Sequence, residues 1–410
     1  MNNKLILEIA VGIFFLFCSC GEKKSQKNQS ISDIQVIKRS DFEKVERLKF
    51  NDPDYFEKTE FVKLEITDES ILGGINQMEV FENCIYILDQ KGNSVKKFDL
   101  TGKYIQDIGR VGLGSGEYIA VNAFYINPKL KTVNIFDPMK ESVFRYDLDG
   151  KHLETIKLGL PNLAYVSGLS YLNEDEIFCF SYTNWMENCA FSVLNEKNYT
   201  GDCLYHYPIK FEGQMTFQMS IHPYTIRNGE VHYVLMFSDT IYSYKNNEVS
   251  KLFFVESGKP ALEYHQITKI GTKYNNYTNE AVSSVGKAGK YTLGFMNFFE
   301  SDSYICSELR EYFAPGYLTF GAVLWNKTNN KGVYISQYYA DAAPCFGPIF
   351  YCFDNTFVRV WREHEISFFK EHAKERDSYN RDDYPAEVWD VVDNYDEEDN
   401  PVLIFYTLKK

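Results

Sequence analysis

Apolar and polar residues alternate at every second position through long stretches of the chain, which is the pattern of half-buried β-strands. Two such stretches, residues 85–108 and residues 133–156, align without a gap at an offset of 48 and are identical at nine of 24 positions. Each copy contains three alternating runs separated by turn residues. With one further strand before each copy, the repeat predicts a four-stranded antiparallel unit, which is typical of a propeller blade.

Weaker copies of the same pattern follow in the rest of the chain, over residues 169–210, 224–255, 318–339 and 349–361. Dividing the chain from residue 61 onward by the length of one unit gives six or seven blades, and we predict six. Lone strands are expected at residues 61–66 and 401–408, and their pairing in one blade would hide the free edges of the ring. The predicted fold class is therefore all-β, a six-bladed β-propeller of four-stranded antiparallel blades with short helical insertions near the C-terminus.

A glycine-rich stretch, GRVGLGSGEY at residues 109–118, separates the two strong repeats. A dinucleotide-binding loop would need a further glycine at Glu117 and a helix after it, and a phosphate-binding loop would end in Gly-Lys-Ser/Thr. We predict instead a crossover from the outer strand of one blade to the inner strand of the next, where glycines allow close backbone approach. The alternative is a loop whose amides, with Glu117 and Tyr118, contribute to a ligand or partner surface.

The N-terminus carries features of export. Its apolar run, residues 5–17, is too short to span the hydrocarbon core of a bilayer and is typical of a signal peptide, predicted at residues 1–19. A small residue before Cys20 and a glycine after it resemble a bacterial lipobox, which implies cleavage before Cys20 and its acylation; an ordinary cleaved signal peptide is the alternative. We expect a lipidated tether at residues 20–40 and a single propeller domain at residues 41–410.

Composition narrows the choice of partners. Apolar residues make up 44% of the chain, which excludes a disordered protein. A net charge of −14 makes nucleic acid a poor partner, so none is expected. Seven cysteines lie beyond the signal region, and we expect mostly buried free thiols; Cys179–Cys189 is the first candidate for a single bridge.

Three aspartates, Asp89, Asp137 and Asp239, end equivalent predicted strands. Aspartate is a common turn residue, because its side chain hydrogen-bonds backbone amides two residues on. If the three carboxylates faced one another they could hold a divalent cation, so they are weak candidates for a metal site. No pattern predicts catalytic residues, and no cofactor is expected.

Two segments interrupt the strand pattern, an insertion at residues 258–286 and a helical, acidic cap at residues 362–399. From residue 376 to residue 399 there are ten acidic and two basic side chains, with Trp389 among them. We expect a solvated cap packed on the last blade; the alternative is a lid or partner-docking surface that includes Trp389.

The runs ITDESILGGINQMEVFENCIYILD, VKKFDLTGKYIQDIGRVGLGSGEY and EEDNPVLIFYTLK resemble the six-bladed, NHL-like propeller lipoproteins of Bacteroidetes. The resemblance covers residues 35–160 and about the last twenty residues. It departs at residues 114–118, where Gly-Ser-Gly-Glu-Tyr stands in place of the usual Gly-Pro-Gly-Glu-Tyr. The resemblance implies an envelope lipoprotein with a propeller domain and no established activity to carry over. We expect the protein in the outer membrane, facing the periplasm or the exterior.

Two functions follow from these patterns. The first is a binding or scaffold module, held at the membrane by its lipid anchor, for an outer-membrane protein, a peptide or a glycan. The alternative is a metal-dependent hydrolase or lyase, which would need several carboxylates converging on the central channel. We expect a binding protein rather than an enzyme.

Overall fold

The alternating stretches form six separate sheets in a computed structural model of the chain. The structure describes residues 35–158, 166–181, 189–206, 222–235, 238–256, 259–261, 292–314, 317–336, 338, 343–375, 381 and 384–410. The signal peptide, Cys20 and most of the predicted insertion at 258–286 lie outside these residues.

Three strands come first and join blades formed much later in the chain. They are β1 (Gln35–Lys38), β2 (Phe42–Val45) and β3 (Phe56–Lys63), with a 3-10 helix at Arg39–Asp41 between the first two. Strand β1 therefore begins inside the segment 20–40 that we expected to be a tether, and the ring starts before residue 41. The alternation in β1 and β2 spans only four residues each, which is too short to be distinguished from a polar linker.

The next twelve strands form three blades of four consecutive antiparallel strands. Blade A holds β4 (Gln77–Phe81), β5 (Cys84–Asp89), β6 (Ser94–Asp99) and β7 (Tyr104–Asp107). Blade B holds β8 (Ala123–Asn127), β9 (Thr132–Asp137), β10 (Ser142–Asp147) and β11 (His152–Lys157). Blade C holds β12 (Val166–Tyr171), β13 (Glu176–Ser181), β14 (Cys189–Asn195) and β15 (Gly201–His206). The two strong repeats are thus blades A and B, as predicted.

The remaining blades each include one N-terminal strand. Blade D holds β16 (Tyr224–Arg227), β17 (Glu230–Val234), β18 (Thr240–Lys245) and β19 (Glu248–Glu256), with β1 added parallel to β19. Blade E holds β20 (Thr292–Glu300), β21 (Tyr304–Ala314), β22 (Tyr317–Asn326) and β23 (Lys331–Ile335), with β2 added parallel to β23. Blade F holds β24 (Tyr351–Phe353), β25 (Thr356–Trp361), β26 (Val402–Leu408) and β3.

Blade F closes the ring. Strand β26 pairs antiparallel with β3, with Val402 opposite Lys63 and Ile404 opposite Phe61. The predicted closure, in which the last strand pairs with a strand that precedes blade A, is confirmed. That preceding strand, β3, covers Phe56–Lys63 rather than residues 61–66. Two helices, α1 (Glu363–Glu375) and α2 (Ala386–Asp393), are inserted between β25 and β26 and provide the predicted helical insertion near the C-terminus.

The core lies between the blades. Among the described residues, buried apolar side chains form six clusters, and each cluster joins one pair of neighbouring blades around the ring. The cluster between blades E and F also takes in the apolar faces of both helices, including Ile366, Phe369 and Val388. This arrangement of six sheets and six shared interfaces is that of a six-bladed propeller, as predicted.

Buried ion pairs also join neighbouring blades. Between blades B and C, Arg145 Nη2 lies 2.5 Å from Glu196 Oε1, and both side chains are buried. Between blades D and E, the His232 ring donates from Nδ1 to Glu300 Oε2 at 2.5 Å, and Lys327 Nζ lies 2.6 Å from Glu300 Oε1. Such pairs are costly to break, because removal of one partner leaves a buried charge unpaired.

Candidate functional site

A central channel runs along the axis where the first strands of all six blades meet. Strands β4, β8, β12, β16, β20 and β24, or the residues that flank them, contribute to the wall of a cavity of about 470 Å³. Its lining extends from Asn76, just before β4, to Pro128 and Asn228, which follow β8 and β16. Residues far apart in sequence are therefore brought to one site by ring closure.

Among the described residues that line the channel, Glu79 is the one with an acidic side chain. It lies on β4 and accepts a hydrogen bond from the Tyr351 hydroxyl at 2.9 Å, while the Val80 amide donates to the same hydroxyl at 3.1 Å. Burial raises the pKa of Glu79 from 4.5 to about 7. Near neutral pH this carboxyl group therefore exists in both forms and can donate or accept a proton in a hydrogen bond.

Other polar side chains in the channel are held across neighbouring blades. Gln77 donates to the Phe124 carbonyl at 2.6 Å and accepts from the Phe124 amide at 3.1 Å, which ties β4 to β8. The hydroxyls of Ser170 and Tyr224 lie 2.9 Å apart and join blades C and D. These contacts fix the position of polar groups in the wall before any ligand arrives.

His222 lies in the same wall and is neutral at physiological pH, because burial lowers its pKa to about 4. Its ring packs against Phe299 and Phe350, with centroids 5.4 Å and 4.9 Å away. Its Nε2 atom has no hydrogen-bond partner among the described residues.

A second, larger cavity lies where the inner strand β4 begins. This front groove, about 1070 Å³, is formed by the loop between β3 and β4, the first turn of α1, and the segment that leads from α2 to β26. Six acidic side chains line it, together with three basic ones; the acidic residues are Asp68, Glu363, Asp396, Glu397, Glu398 and Asp399, and the basic ones are Lys91, Arg362 and His364. Asn76 lines both the front groove and the channel.

Asn400 holds the two sides of the front groove together. Its amide nitrogen donates to the carbonyls of Glu65 and Ser70 at 2.9 Å and 3.0 Å, and its oxygen accepts from the Leu72 amide at 2.8 Å. The side chain is buried, so these bonds are protected from water. These bonds tie the loop between β3 and β4 to the segment that leads into β26, so two walls of the front groove are anchored to each other.

The structure places the crossover residues Glu117 and Tyr118 away from both cavities. The crossover does link β7 to β8, as predicted. The carboxylate of Glu117 accepts from the Gly114 amide at 2.8 Å and from Arg110 Nε at 2.6 Å, and these bonds lower its pKa. Tyr118 is buried in the cluster between blades A and B. Both side chains organise the crossover, and neither lines the channel or the front groove.

The three aspartates proposed as weak metal candidates lie in different blades and do not meet. Asp89 accepts from the Gly73 and Gly92 amides at 2.7 Å and 2.9 Å. Asp137 likewise accepts from the amides of Ile119, Met139 and Lys140 at 2.6 to 3.0 Å.

Burial raises the pKa of the third aspartate, Asp239, which accepts a long bond of 3.4 Å from Thr240. Within the described ranges, no cluster of three or more His, Cys, Asp or Glu side chains is arranged to hold a metal ion.

Trp389 joins the two helices to each other and to the ring. Its indole stacks on Phe369 with centroids 5.4 Å apart, and its Nε1 donates to the Arg381 carbonyl at 2.9 Å. Only 6% of the residue is exposed, so most of its surface is packed inside the cap.

The disulfide prediction is wrong in its partner. Cys189 bridges to Cys203 on the adjacent strand β15, and not to Cys179. Cys179 lies on β13 in the core between blades B and C, where burial raises the pKa of its thiol to about 12. A spacing of ten residues could not indicate which face of its strand each cysteine occupies.

Among the described residues, no helix is both long and apolar enough to cross a membrane.

The channel residues Gln77, Glu79 and Tyr351 were not identified from sequence. The available signal was the alternation in INQMEVF, where polar residues 77 and 79 interleave with apolar residues on a strand beside the axis.

Solved structures with a similar fold include two proteins of Bacteroides species. A candidate exported protein of Bacteroides fragilis aligns over 92% of this chain and 100% of its own length, at 17% identity and a TM-score of 0.69. A member of the DUF4221 family from Bacteroides vulgatus aligns over 86% of this chain and 97% of its own, at 10% identity and a TM-score of 0.50. No curated protein matches the sequence. A family model described as a domain of unknown function, DUF4934, matches residues 33–407, and the chain belongs to that family.

Proposed function

We propose that the protein is an exported binding module, anchored in the outer membrane through an acylated Cys20, that docks a cationic segment of an envelope protein in the front groove. Support for export comes from the signal-like N-terminus and from the B. fragilis neighbour, whose name describes a candidate exported protein. The observation that carries the docking proposal is the acidic lining of a large groove on a rigid ring.

Charge complementarity selects the partner. The acidic side chains of the groove outnumber the basic ones two to one, and four of them are consecutive, at residues 396–399. Such a surface attracts lysine and arginine side chains and repels acidic partners. Ile66 and Ile71 are 38% and 55% exposed at the same groove, which adds apolar contacts for a segment that mixes basic and apolar residues.

A binding role is favoured over the metal-dependent alternative. That alternative needs several carboxylates converging on the axis, whereas the described channel wall contributes one, Glu79. The three candidate aspartates are held by backbone amides or lie apart in different blades. The arrangement therefore favours recognition through the front groove over hydrolysis or elimination in the channel.

The docking proposal is tested with a fluorescein-labelled peptide of alternating lysine and leucine, and with its glutamate-leucine counterpart. The double charge reversal Glu397→Lys/Glu398→Lys is expected to weaken binding of the basic peptide about tenfold, because repulsion replaces attraction at the rim. Glu141→Lys/Asp149→Lys, the same charge change on exposed residues of blade B, serves as the matched control. Equal affinity of the groove variant and wild type for the basic peptide, or equal affinity of wild type for both peptides, would contradict the proposal.

The anchor has its own test, because export could be correct and docking wrong. Cys20→Ala removes the acylated thiol, and the variant is expected to leave the membrane fraction on sedimentation. A variant that still sediments with membranes would rule out anchoring by this cysteine.

A further inference from the structure

The axial channel differs in chemistry from the front groove. Its volume of about 470 Å³ lies in the range of small-molecule sites and is too small to admit a folded protein. No lysine or arginine lines the described part of its wall, and Glu79 is its one carboxyl group there. A phosphate or carboxylate ligand would find no cation in this wall, so an anionic ligand is disfavoured.

The wall combines aromatic rings with neutral hydrogen-bonding groups. Aromatic side chains come from several blades: Phe81, Tyr171, Phe180, Tyr224, Phe299 and Tyr351. Hydroxyl and amide side chains line the same cavity, at Ser167, Ser170, Thr225, Asn76, Gln77 and Asn228. Flat apolar rings beside many neutral donors and acceptors are complementary to a ring that carries C–H bonds on its faces and hydroxyls on its rim.

We propose that the axial channel binds a neutral sugar residue, which packs against Tyr224 and hydrogen-bonds to Glu79 and Ser170. The site adjoins the front groove at Asn76 but does not depend on peptide docking there. Its ligand class is a neutral monosaccharide or the terminal unit of a neutral glycan.

The fixed polar groups suit this ligand. Tyr351 and Glu79 hold each other across the junction of blades F and A, so the carboxyl group is positioned without a ligand. Burial keeps part of the Glu79 population protonated near neutral pH, and a protonated carboxyl group offers one donor and one acceptor to a sugar hydroxyl. His222 is neutral in the same wall, so the channel carries little charge overall.

A cationic amine is the strongest competing ligand, because aromatic rings and an ionised carboxylate can both bind cations. The two ligands make different demands on Glu79. A sugar needs hydrogen-bonding capacity, which Glu79→Gln retains, whereas an amine needs negative charge, which that variant removes. The pair Glu79→Gln and Glu79→Ala therefore separates the two classes.

The test uses the full chain in a detergent without a sugar head group. Saturation-transfer NMR is recorded with glucose, galactose, mannose, N-acetylglucosamine, fucose and xylose, and with choline and inorganic phosphate as charged probes. At least one sugar is expected to bind, with affinity lost about tenfold in Glu79→Ala and largely retained in Glu79→Gln. Glu57→Ala, on the exposed face of β3, is the matched control and is expected to bind like wild type.

Ser170→Phe provides a second variant that fills the channel and leaves the carboxyl group in place. Near-UV circular dichroism verifies that each variant keeps wild-type packing. If no sugar in the panel binds, if choline binds in their place, or if sugar binding survives both Ser170→Phe and Glu79→Ala, the inference is wrong. Sugar binding that is unchanged by excess lysine-leucine peptide separates this site from the front groove.

Discussion

Replacing Glu196 by glutamine removes one negative charge from a buried cluster shared by blades B and C. Its Oε1 atom accepts from Arg145 at 2.5 Å, from Tyr125 at 3.3 Å and from Asn127 at 3.2 Å. The side chains of Arg145 and Glu196 are 10% and 4% exposed. The substitution therefore leaves the guanidinium without its buried counter-charge.

The expected cost follows from this geometry. Breaking a buried pair costs about 3–5 kcal/mol, and the lower end applies because Arg145 keeps a half-exposed partner, Glu154, at 2.5 Å. An unfolding entropy of about 2.1 cal/mol/K per residue corresponds to about 0.8 kcal/mol/K for a ring of this length. A loss of about 3 kcal/mol then lowers Tm by about 4 °C.

Differential scanning calorimetry of Glu196→Gln, Arg145→Met and the double variant measures the loss of stability in each. Comparison of the three gives the coupling free energy between Arg145 and Glu196. The double variant is expected to be more stable than the sum of the single losses predicts, by about 2 kcal/mol, because it leaves no unpaired charge. Glu154→Gln, which removes the half-exposed partner, is the control and should cost less than about 1 kcal/mol. Additive losses within about 0.5 kcal/mol, or equal effects of Glu196→Gln and Glu154→Gln, would refute this account of the cluster.

Three further outcomes are expected. Cys203→Ser opens a bridge between residues 14 apart and should destabilise the fold by about 3 kcal/mol in oxidised protein but not after reduction, measured by urea unfolding. Burial opposes protonation of His232, but its two carboxylate partners, Glu300 at 2.5 Å and Glu230 at 3.0 Å, outweigh burial and raise its pKa. The stabilisation that the charged ring gives is present below about pH 6.5 and is lost as pH rises through the folded pKa. His232→Gln should therefore flatten the fall of Tm between about pH 6 and 9, and an unchanged slope would contradict this. Gly102→Ala should destabilise more than Gly150→Ala at the equivalent turn, because a Cβ would meet a carbonyl oxygen at 2.1 Å in the first and 3.1 Å in the second; equal Tm values would contradict it.

Much of the fold could be predicted because a propeller blade is a local structure. The repeats at residues 85–108 and 133–156 contain their own strands and turns, and blades A to C each form from four consecutive strands. The closing strand could be predicted because a ring must pair its ends. The strands β1 and β2 could not, since a short polar segment that pairs with residues more than 200 positions away leaves no local pattern.

The candidate sites depend on the same long-range assembly. Glu79 and Tyr351 are 272 residues apart in sequence and meet only because blades F and A are neighbours in the closed ring. The conspicuous residues, Glu117, Asp89 and Asp137, have local partners within their own turns and neighbouring loops. The residues that stood out in the sequence therefore stabilise turns and loops. The residues that line the channel occupy ordinary alternating positions on the inner strands, and the sequence pattern does not single them out.

The placement of β1, β2 and β3 on the edges of three successive blades has a consequence for the order of folding. These strands precede the rest of the ring in sequence, yet each pairs with a strand that lies more than 200 residues later. Until β19, β23 and β26 are present, these three strands have no partner, and blades A to C can form while residues 35–63 are still unpaired. Residues 35–63 are therefore incorporated one strand at a time, as blades D, E and F form, and the ring is completed only when β26 pairs with β3.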